Sequence, residues 1–118
     1  HLVGRVMQGG YTPYPEVPIA MQAADIFVLP SSFEGTPKVV MEALSCGVPV
    51  LASGFKLTEE ISGLFYLENQ NPEHIAKSIQ RVLNSVPFVD RNKVYSEYSW
   101  STRVQKLKEV YDYAKKSL

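Results

Sequence analysis

Cysteine is almost absent from this 118-residue sequence, which limits how the chain can be stabilised. Cys46 is the single cysteine, so no disulfide can form within the chain. Chains without disulfides are typical of reducing compartments, and we therefore expect a cytoplasmic protein.

Long apolar runs and an excess of one charge are also missing. No stretch approaches the roughly 18 consecutive apolar residues that a membrane-spanning helix needs, and no signal peptide is visible. The 12 basic and 12 acidic residues cancel, so no global field favours nucleic acid. Residues 71–118 nevertheless hold nine basic against five acidic groups. We interpret these as exposed helix faces; the alternative is weak contact with an acidic partner or with the cytoplasmic membrane face.

The order of apolar segments predicts the fold class. Short apolar runs alternate with helical segments, which favours a single α/β domain over residues 1–118: a Rossmann-like parallel sheet with flanking helices. The continuous apolarity of DIFVL and VPVLA is typical of strands buried on both faces. The predicted strands are His1–Val6, Asp25–Leu29, Val48–Ala52 and Leu64–Glu68.

Capping residues predict where the helices begin and end. Thr36 is the expected N-cap of a helix that has Pro37 at its first position and ends before Gly47. Apolar residues recur at steps of three and four in the last helix, which predicts that one side of this helix is apolar. The predicted helices are a short one near Pro18, then Pro37–Cys46, Pro72 to about Asn84, Asp90–Glu97 and Ser101–Ser117.

The beginning of the chain does not follow the usual doubly wound pattern. Such domains open with a strand, a phosphate-binding turn and a helix, whereas here a Pro-rich loop, GGYTPYPEVP, follows the first strand. The chain also lacks an initiator Met. We therefore expect a fragment, the C-terminal part of a larger fold, whose open sheet edge and uncovered helix would favour a homodimer.

The segment SSFEGTPKVVMEALSCGVPVLAS, residues 31–53, contains the candidate site. It runs from the carboxyl end of a predicted strand into a helix N-terminus, where unpaired amides attract anions. Two carboxylates flank this anion site, and carboxylates accept hydrogen bonds from sugar hydroxyls. We therefore expect a sugar next to a phosphate, with Glu34 and Glu42 on the sugar and the phosphate near Gly35, Thr36, Pro37 (which has no N–H) and Lys38.

Simpler interpretations compete with this one. The spacing of the two acids proves nothing, since Glu60 and Glu68 are also eight residues apart. Glu42 could pair with Lys38 along an exposed helix edge, and Glu34 could be a solvated loop acid. Aromatic residues such as Trp100 are expected to pack rather than to bind sugar.

The same segment resembles the nucleotide-binding domain of retaining glycosyltransferases with the GT-B architecture, known as family 4 or group 1. The hallmark of that family is two Glu residues separated by seven others, between a strand ending in LPS and a Gly-x-Pro-Val strand. The matching parts are Leu29-Pro30-Ser31, Glu34-Gly35, Glu42-Ala43 and Gly47-Val48-Pro49-Val50.

The resemblance implies a function and a role for each matched residue. It implies binding of a nucleotide diphosphate sugar, hexosyl transfer in carbohydrate biosynthesis, and neither cofactor nor bound metal. Glu34, the implied catalytic residue, would contact the transferred sugar, and Glu42 the ribose. Val39 would pack near the nucleoside, while the amides around Gly35, Thr36 and Lys38 would face the diphosphate and sugar, with Pro37 beside them as a substrate-binding residue without an N–H.

Two departures from the family pattern shape the remaining expectations. A single Gly54 stands where the family commonly has a Gly-Gly pair, and the basic residues that grip the diphosphate are missing along with the N-terminal acceptor domain. We therefore expect the isolated chain to be inactive. The alternatives are a non-catalytic nucleotide- or sugar-binding module and an assembly module.

Overall fold

A computed structural model describes residues 5–117 of the chain. A single 3-10 turn, Tyr14–Glu16, precedes the regular elements. The elements in chain order are α1 (Val17–Gln22), β1 (Phe27–Pro30), α2 (Lys38–Ser45), β2 (Val50–Ser53), β3 (Leu64–Tyr66), α3 (Pro72–Asn84), α4 (Arg91–Tyr98) and α5 (Trp100–Lys116).

The three strands form one parallel sheet in the order β1-β2-β3. The register pairs Phe27 with Val50 and Val50 with Leu64, so all three carboxyl ends lie at the same edge. Helix α2 connects β1 to β2, which makes a βαβ unit. The predicted α/β fold, a Rossmann-like parallel sheet flanked by helices, is confirmed.

Alternate residues of β2 supply the cores on the two faces of the sheet. Val50 and Ala52 pack with Leu44 of α2 and Val94 of α4. Leu51 faces the opposite side, where helix α3 contributes Val82, Ile75 and Ile79. Val50, Leu51 and Ala52 are all fully buried, so the strand predicted from VPVLA is buried on both faces as expected.

Strand β1 is less buried than predicted. Phe27, Val28 and Leu29 are each half-buried, although the sequence favours burial on both faces. The cause is position, because β1 lies at the edge of the described sheet and pairs only with β2. The strand predicted at His1–Val6 lies mostly outside the described residues, and Arg5 and Val6 belong to no strand.

The helix boundaries follow the capping residues with one exception. Asn71 accepts a hydrogen bond from the Glu73 amide at 2.9 Å, and Asp90 caps α4 in the same way through Lys93 at 3.0 Å. Helix α2, however, begins at Lys38 with Pro37 as N-cap and no side-chain cap. The prediction that Thr36 caps this helix is wrong by one residue, because Pro37 is itself extended, with ψ 118°.

Helix α5 leaves the body of the domain. None of its residues is buried, and its principal packing partner is α4. The apolar side predicted for this helix is therefore exposed, including Val104, Leu107, Val110 and Tyr111. Among residues 5–117, no helix combines the length and the apolarity needed to cross a membrane.

A hydrogen bond connects the end of α4 to the loop between β2 and β3. The hydroxyl of Tyr98 donates to Oε2 of Glu59 at 2.9 Å. Burial, together with the bond to Glu59 and the charge of that carboxylate, raises the pKa of Tyr98 to about 12. The same hydrogen bond is the main cause that lowers the pKa of Glu59.

This pair predicts a pH-dependent loss of stability in alkali. The folded pKa of Tyr98 lies above its ordinary value of about 10. The contribution of the protonated Tyr98 hydroxyl to the free energy of unfolding is therefore complete below about pH 10 and is lost between about pH 10 and about pH 12. Glu59→Gln should move the pKa of Tyr98 down towards 10, because it removes the carboxylate charge. The measurement is tyrosinate absorbance, taken as the difference between each protein and its Tyr98→Phe counterpart. An unchanged Tyr98 midpoint in Glu59→Gln would contradict the assignment.

Candidate functional site

The loop between β1 and α2, residues 31–37, lies across the carboxyl edge of the sheet. The Ser53 hydroxyl donates to the Ser31 carbonyl at 2.8 Å, and the Glu34 amide donates to the Gly54 carbonyl at 2.8 Å. Gln70 holds the end of β1 by donating from Nε2 to the Pro30 carbonyl at 3.0 Å. The loop is therefore fixed to the end of β2, and Gln70 holds the residue from which it leaves β1, at the edge where open α/β sheets bind ligands.

Glu34 is held within this loop and is only half-exposed. The Ser31 hydroxyl donates to its Oε1 at 2.9 Å. A carboxylate has about four acceptor positions, so one bond orients the side chain and leaves capacity for a ligand hydroxyl. This geometry differs from that of a freely solvated loop acid, which was the alternative for Glu34.

Gly54 determines how closely the loop approaches the end of β2. Its φ is +90°, and a Cβ added there would lie 2.8 Å from the carbonyl oxygen of Ser31 and 3.0 Å from the amide nitrogen of Phe33. Only glycine adopts this conformation and allows this contact without strain. In the sequence, Gly54 departs from the Gly-Gly pair that is common in the resembled family. Its place directly after a buried strand is the feature that indicates this positioning role.

The N-terminus of α2 presents backbone donors. The first backbone bond at this terminus runs from the Val40 amide to the Pro37 carbonyl at 3.2 Å. Within residues 5–117, no hydrogen bond is donated by the amides of Gly35, Thr36, Lys38 or Val39. Gly35 and Thr36 are exposed, whereas Pro37 is buried. Free amides and the positive end of the helix dipole together suit an anion.

A groove of about 860 Å³ runs along α2, between α1 and the start of α5. Its floor includes Thr36, Lys38 and Glu42. One wall is apolar and comes from the 3-10 turn and α1, for example Tyr14 and Met21. The other wall consists of side chains near the start of α5: Tyr98, Trp100 and Arg103.

Lys38 and Glu42 do not form the ion pair that the simpler interpretation expects. Among the described residues the single salt bridge joins Lys106 to Glu97 at 3.2 Å. The ammonium of Lys38 instead lies 5.9 Å from the ring centroid of Trp100, a cation–π contact across the groove. The carboxylate of Glu42 is therefore left without a basic partner among residues 5–117.

The structure thus divides the predicted site residues into two groups. Thr36, Lys38 and Glu42 line the groove, whereas Glu34 lies beside the sheet edge. The residues of the α2 N-terminus that do not line the groove are Gly35, Pro37 and Val39, the last of which is half-buried.

The sequence did not predict the places of two groove residues. Trp100 was expected to pack, yet 76% of its surface is exposed. Arg103 was given no role and lines the groove three residues later. The one available signal is Ser99, which caps α5 and so places both side chains on its first turn. Across residues 5–117, no three His, Cys, Asp or Glu side chains converge to hold a metal ion.

Comparison with known proteins identifies relatives of this chain. The chain is similar to the UDP-Gal:alpha-D-GlcNAc-diphosphoundecaprenol alpha-1,3-galactosyltransferase of Escherichia coli, with 31% identity over 81% of this chain and 27% of the relative. It is 30% identical to an uncharacterized glycosyltransferase of Methanocaldococcus jannaschii, over 79% of this chain and 26% of that protein. The D-inositol 3-phosphate glycosyltransferase of Salinispora tropica is 29% identical to this chain, over 81% of this chain and 22% of that protein. No solved structure gives a significant match.

The chain therefore spans about a quarter of the length of these relatives. The family described as Glycosyl transferases group 1 matches residues 2–99, most of the 118-residue sequence. The resemblance inferred from residues 31–53 is confirmed at the level of the family: this chain belongs to the group 1 glycosyltransferases.

Proposed function

We propose that this chain forms the donor-binding part of a retaining GT-B glycosyltransferase, which transfers a sugar from a nucleotide diphosphate sugar to an acceptor. Membership of the group 1 family supports the reaction class. The Escherichia coli relative is named for transfer from UDP-Gal, which is a nucleotide diphosphate sugar.

The observation that carries this proposal is the pair of carboxylates on either side of the free amides of α2. In the proposed complex the diphosphate accepts hydrogen bonds from the amides of Gly35, Thr36, Lys38 and Val39. Glu42, on the groove side, binds the ribose hydroxyls, whereas Val39 does not line the groove and contributes its amide alone. Glu34, on the sheet side, binds hydroxyls of the transferred sugar while Ser31 keeps its carboxylate oriented.

The proposed catalytic effect is electrostatic. Negative charge develops on the diphosphate as the bond to the sugar breaks, and the fixed amides and dipole of α2 stabilise that charge without reorganisation. Lys38 adds a positive charge at the same end of the helix. Glu34 acts by fixing the orientation of the reacting sugar.

In this proposal the remainder of the enzyme binds the other substrate, the acceptor. The Escherichia coli relative is about three times as long as this chain, because the match covers 81% of this chain and 27% of the relative. We propose that the acceptor domain belongs to that additional length. We propose a cytoplasmic enzyme whose acceptor is bound between the two domains. The isolated chain then binds the donor weakly and transfers no sugar.

Replacing each carboxylate separately tests the two roles. Glu42→Gln should weaken binding of UDP, GDP or ADP, whichever the wild-type chain prefers, by about tenfold or more, because a hydrogen bond to a charged group contributes about 1.5–3 kcal/mol. Glu34→Gln should leave the nucleotide diphosphate affinity unchanged and weaken only the nucleotide sugar. Isothermal titration calorimetry measures both.

Glu68→Gln is the matched control, since Glu68 is an exposed acid outside the site. Equal affinities for Glu42→Gln and Glu68→Gln would contradict the ribose role. A loss of plain nucleotide binding in Glu34→Gln would contradict the sugar role.

Gly54→Ala tests whether the sheet edge positions the loop. The added methyl group meets backbone atoms of Ser31 and Phe33, so we expect a loss of about 1–3 kcal/mol in the free energy of unfolding together with weaker binding of the nucleotide sugar. Gly9→Ala is the control, because its added Cβ meets no atom within 4 Å. Urea denaturation and calorimetry give the two quantities, and a Gly54→Ala protein equal to Gly9→Ala in both would refute the positioning role.

A further inference from the structure

The wall of the groove opposite α1 carries a positive charge that the proposed function does not use. Arg103 lines the groove together with Lys38 and Glu42, although it lies 65 residues further along the chain than Lys38. Within residues 5–117 it forms no salt bridge. An exposed guanidinium that faces a concave site without a carboxylate partner has its donors available for a ligand.

The Arg103 side chain is held in place by stacking. Its guanidinium carbon lies 4.5 Å from the ring centroid of Tyr98. The Tyr98 ring is itself fixed by the hydrogen bond from its hydroxyl to Glu59. A guanidinium that lies over an aromatic face keeps its N–H groups in its own plane, where their outer edge can bind a phosphate by two parallel hydrogen bonds.

The backbone that carries Arg103 is also fixed. The Ser99 hydroxyl accepts a hydrogen bond from the Thr102 amide at 3.3 Å, and the Thr102 hydroxyl donates to the Ser96 carbonyl at 2.8 Å. These bonds hold the first turn of α5 against the end of α4. Trp100 and Arg103 therefore project from a capped helix end, where side chains are positioned more accurately than on a loop.

The chemistry of the groove matches a nucleoside diphosphate in each of its parts. Two cations, Lys38 and Arg103, suit the phosphates, and the carboxylate of Glu42 suits the ribose. The exposed indole of Trp100 offers an aromatic face for the nucleoside. The volume of about 860 Å³ lies within the range of about 300–1,000 Å³ that is usual for small-molecule sites.

We propose that Arg103 is a diphosphate-binding residue of the donor site and that Trp100 packs against the nucleoside, so that the first turn of α5 forms the wall of the site opposite α1. This inference rests on the proposed function. It adds a cation from the first turn of α5 to a site whose other predicted residues all lie between residues 31 and 53.

The test compares two α5 variants against two ligands. Arg103→Ala should weaken UDP binding by the 118-residue chain about tenfold or more, because it removes charge-assisted hydrogen bonds to the diphosphate. Binding of uridine, which has no phosphate, should be equal in the wild type and in Arg103→Ala. Lys108→Ala, on the same helix but outside the groove, should bind UDP like the wild type.

Nuclear magnetic resonance suits these affinities, because Trp100 is the only tryptophan and gives one indole N–H signal. That signal should shift on addition of both UDP and uridine. Arg103→Lys keeps the charge but not the planar donor pair, and should lie between the wild type and Arg103→Ala. It also provides the comparison if Arg103→Ala does not fold.

The outcomes separate this inference from the proposed function. If the wild type binds UDP and Arg103→Ala binds it equally well, Arg103 has no diphosphate role and the proposed function stands. If UDP binds without any shift of the Trp100 indole signal, Trp100 does not pack against the nucleoside, and the proposed function again stands. If the wild type binds no UDP, GDP or ADP at millimolar concentration, both proposals fall.

Discussion

The close packing of the Ser31–Pro37 loop against Gly54 is the contact on which the candidate site depends. At φ +90°, Gly54 allows the end of β2 to approach the backbone of Ser31 and Phe33 closely. The carbonyl of Gly54 then accepts a hydrogen bond from the Glu34 amide. That bond fixes where the loop turns away from the sheet. The path of the loop decides where α2 begins, and therefore where the free amides of α2 and the Glu42 side chain lie. A side chain at position 54 would displace all of these groups together.

The second half of the candidate site depends on elements that are distant in sequence. The Tyr98–Glu59 hydrogen bond holds the end of α4 against the β2–β3 loop, and the cap at Ser99 then directs Trp100 and Arg103 towards α2. If Arg103 binds the diphosphate as proposed, stability and ligand binding are coupled, because the ring that the Arg103 guanidinium contacts is the same ring whose hydroxyl has a raised pKa. The groove is thus formed where residues 14–21 and residues 98–103 lie on the two sides of α2.

The sequence predicts most of the fold because its signals are local. Asn71-Pro72 specifies α3 residue for residue, and the buried run ending in Ala52 specifies β2 to within two residues at its start and one at its end. The partial burial of β1 could not be predicted, since it depends on how many strands pair with it. Family membership follows from one segment, residues 31–53. The Trp100–Arg103 wall could not be found in that way, because it results from tertiary packing of α4 and α5 and no local pattern specifies it.

The central claim is that the amides at the start of α2 bind the diphosphate of a nucleotide sugar, with a carboxylate on each side. Mapping backbone amide signals by nuclear magnetic resonance tests it most directly. On addition of UDP-sugar, the signals of Gly35, Thr36, Lys38 and Val39 should shift more than those of the polar hollow around Asn71, His74 and Lys77. If the signals around His74 shift while those at the start of α2 remain unchanged, the ligand binds elsewhere and the claim is wrong.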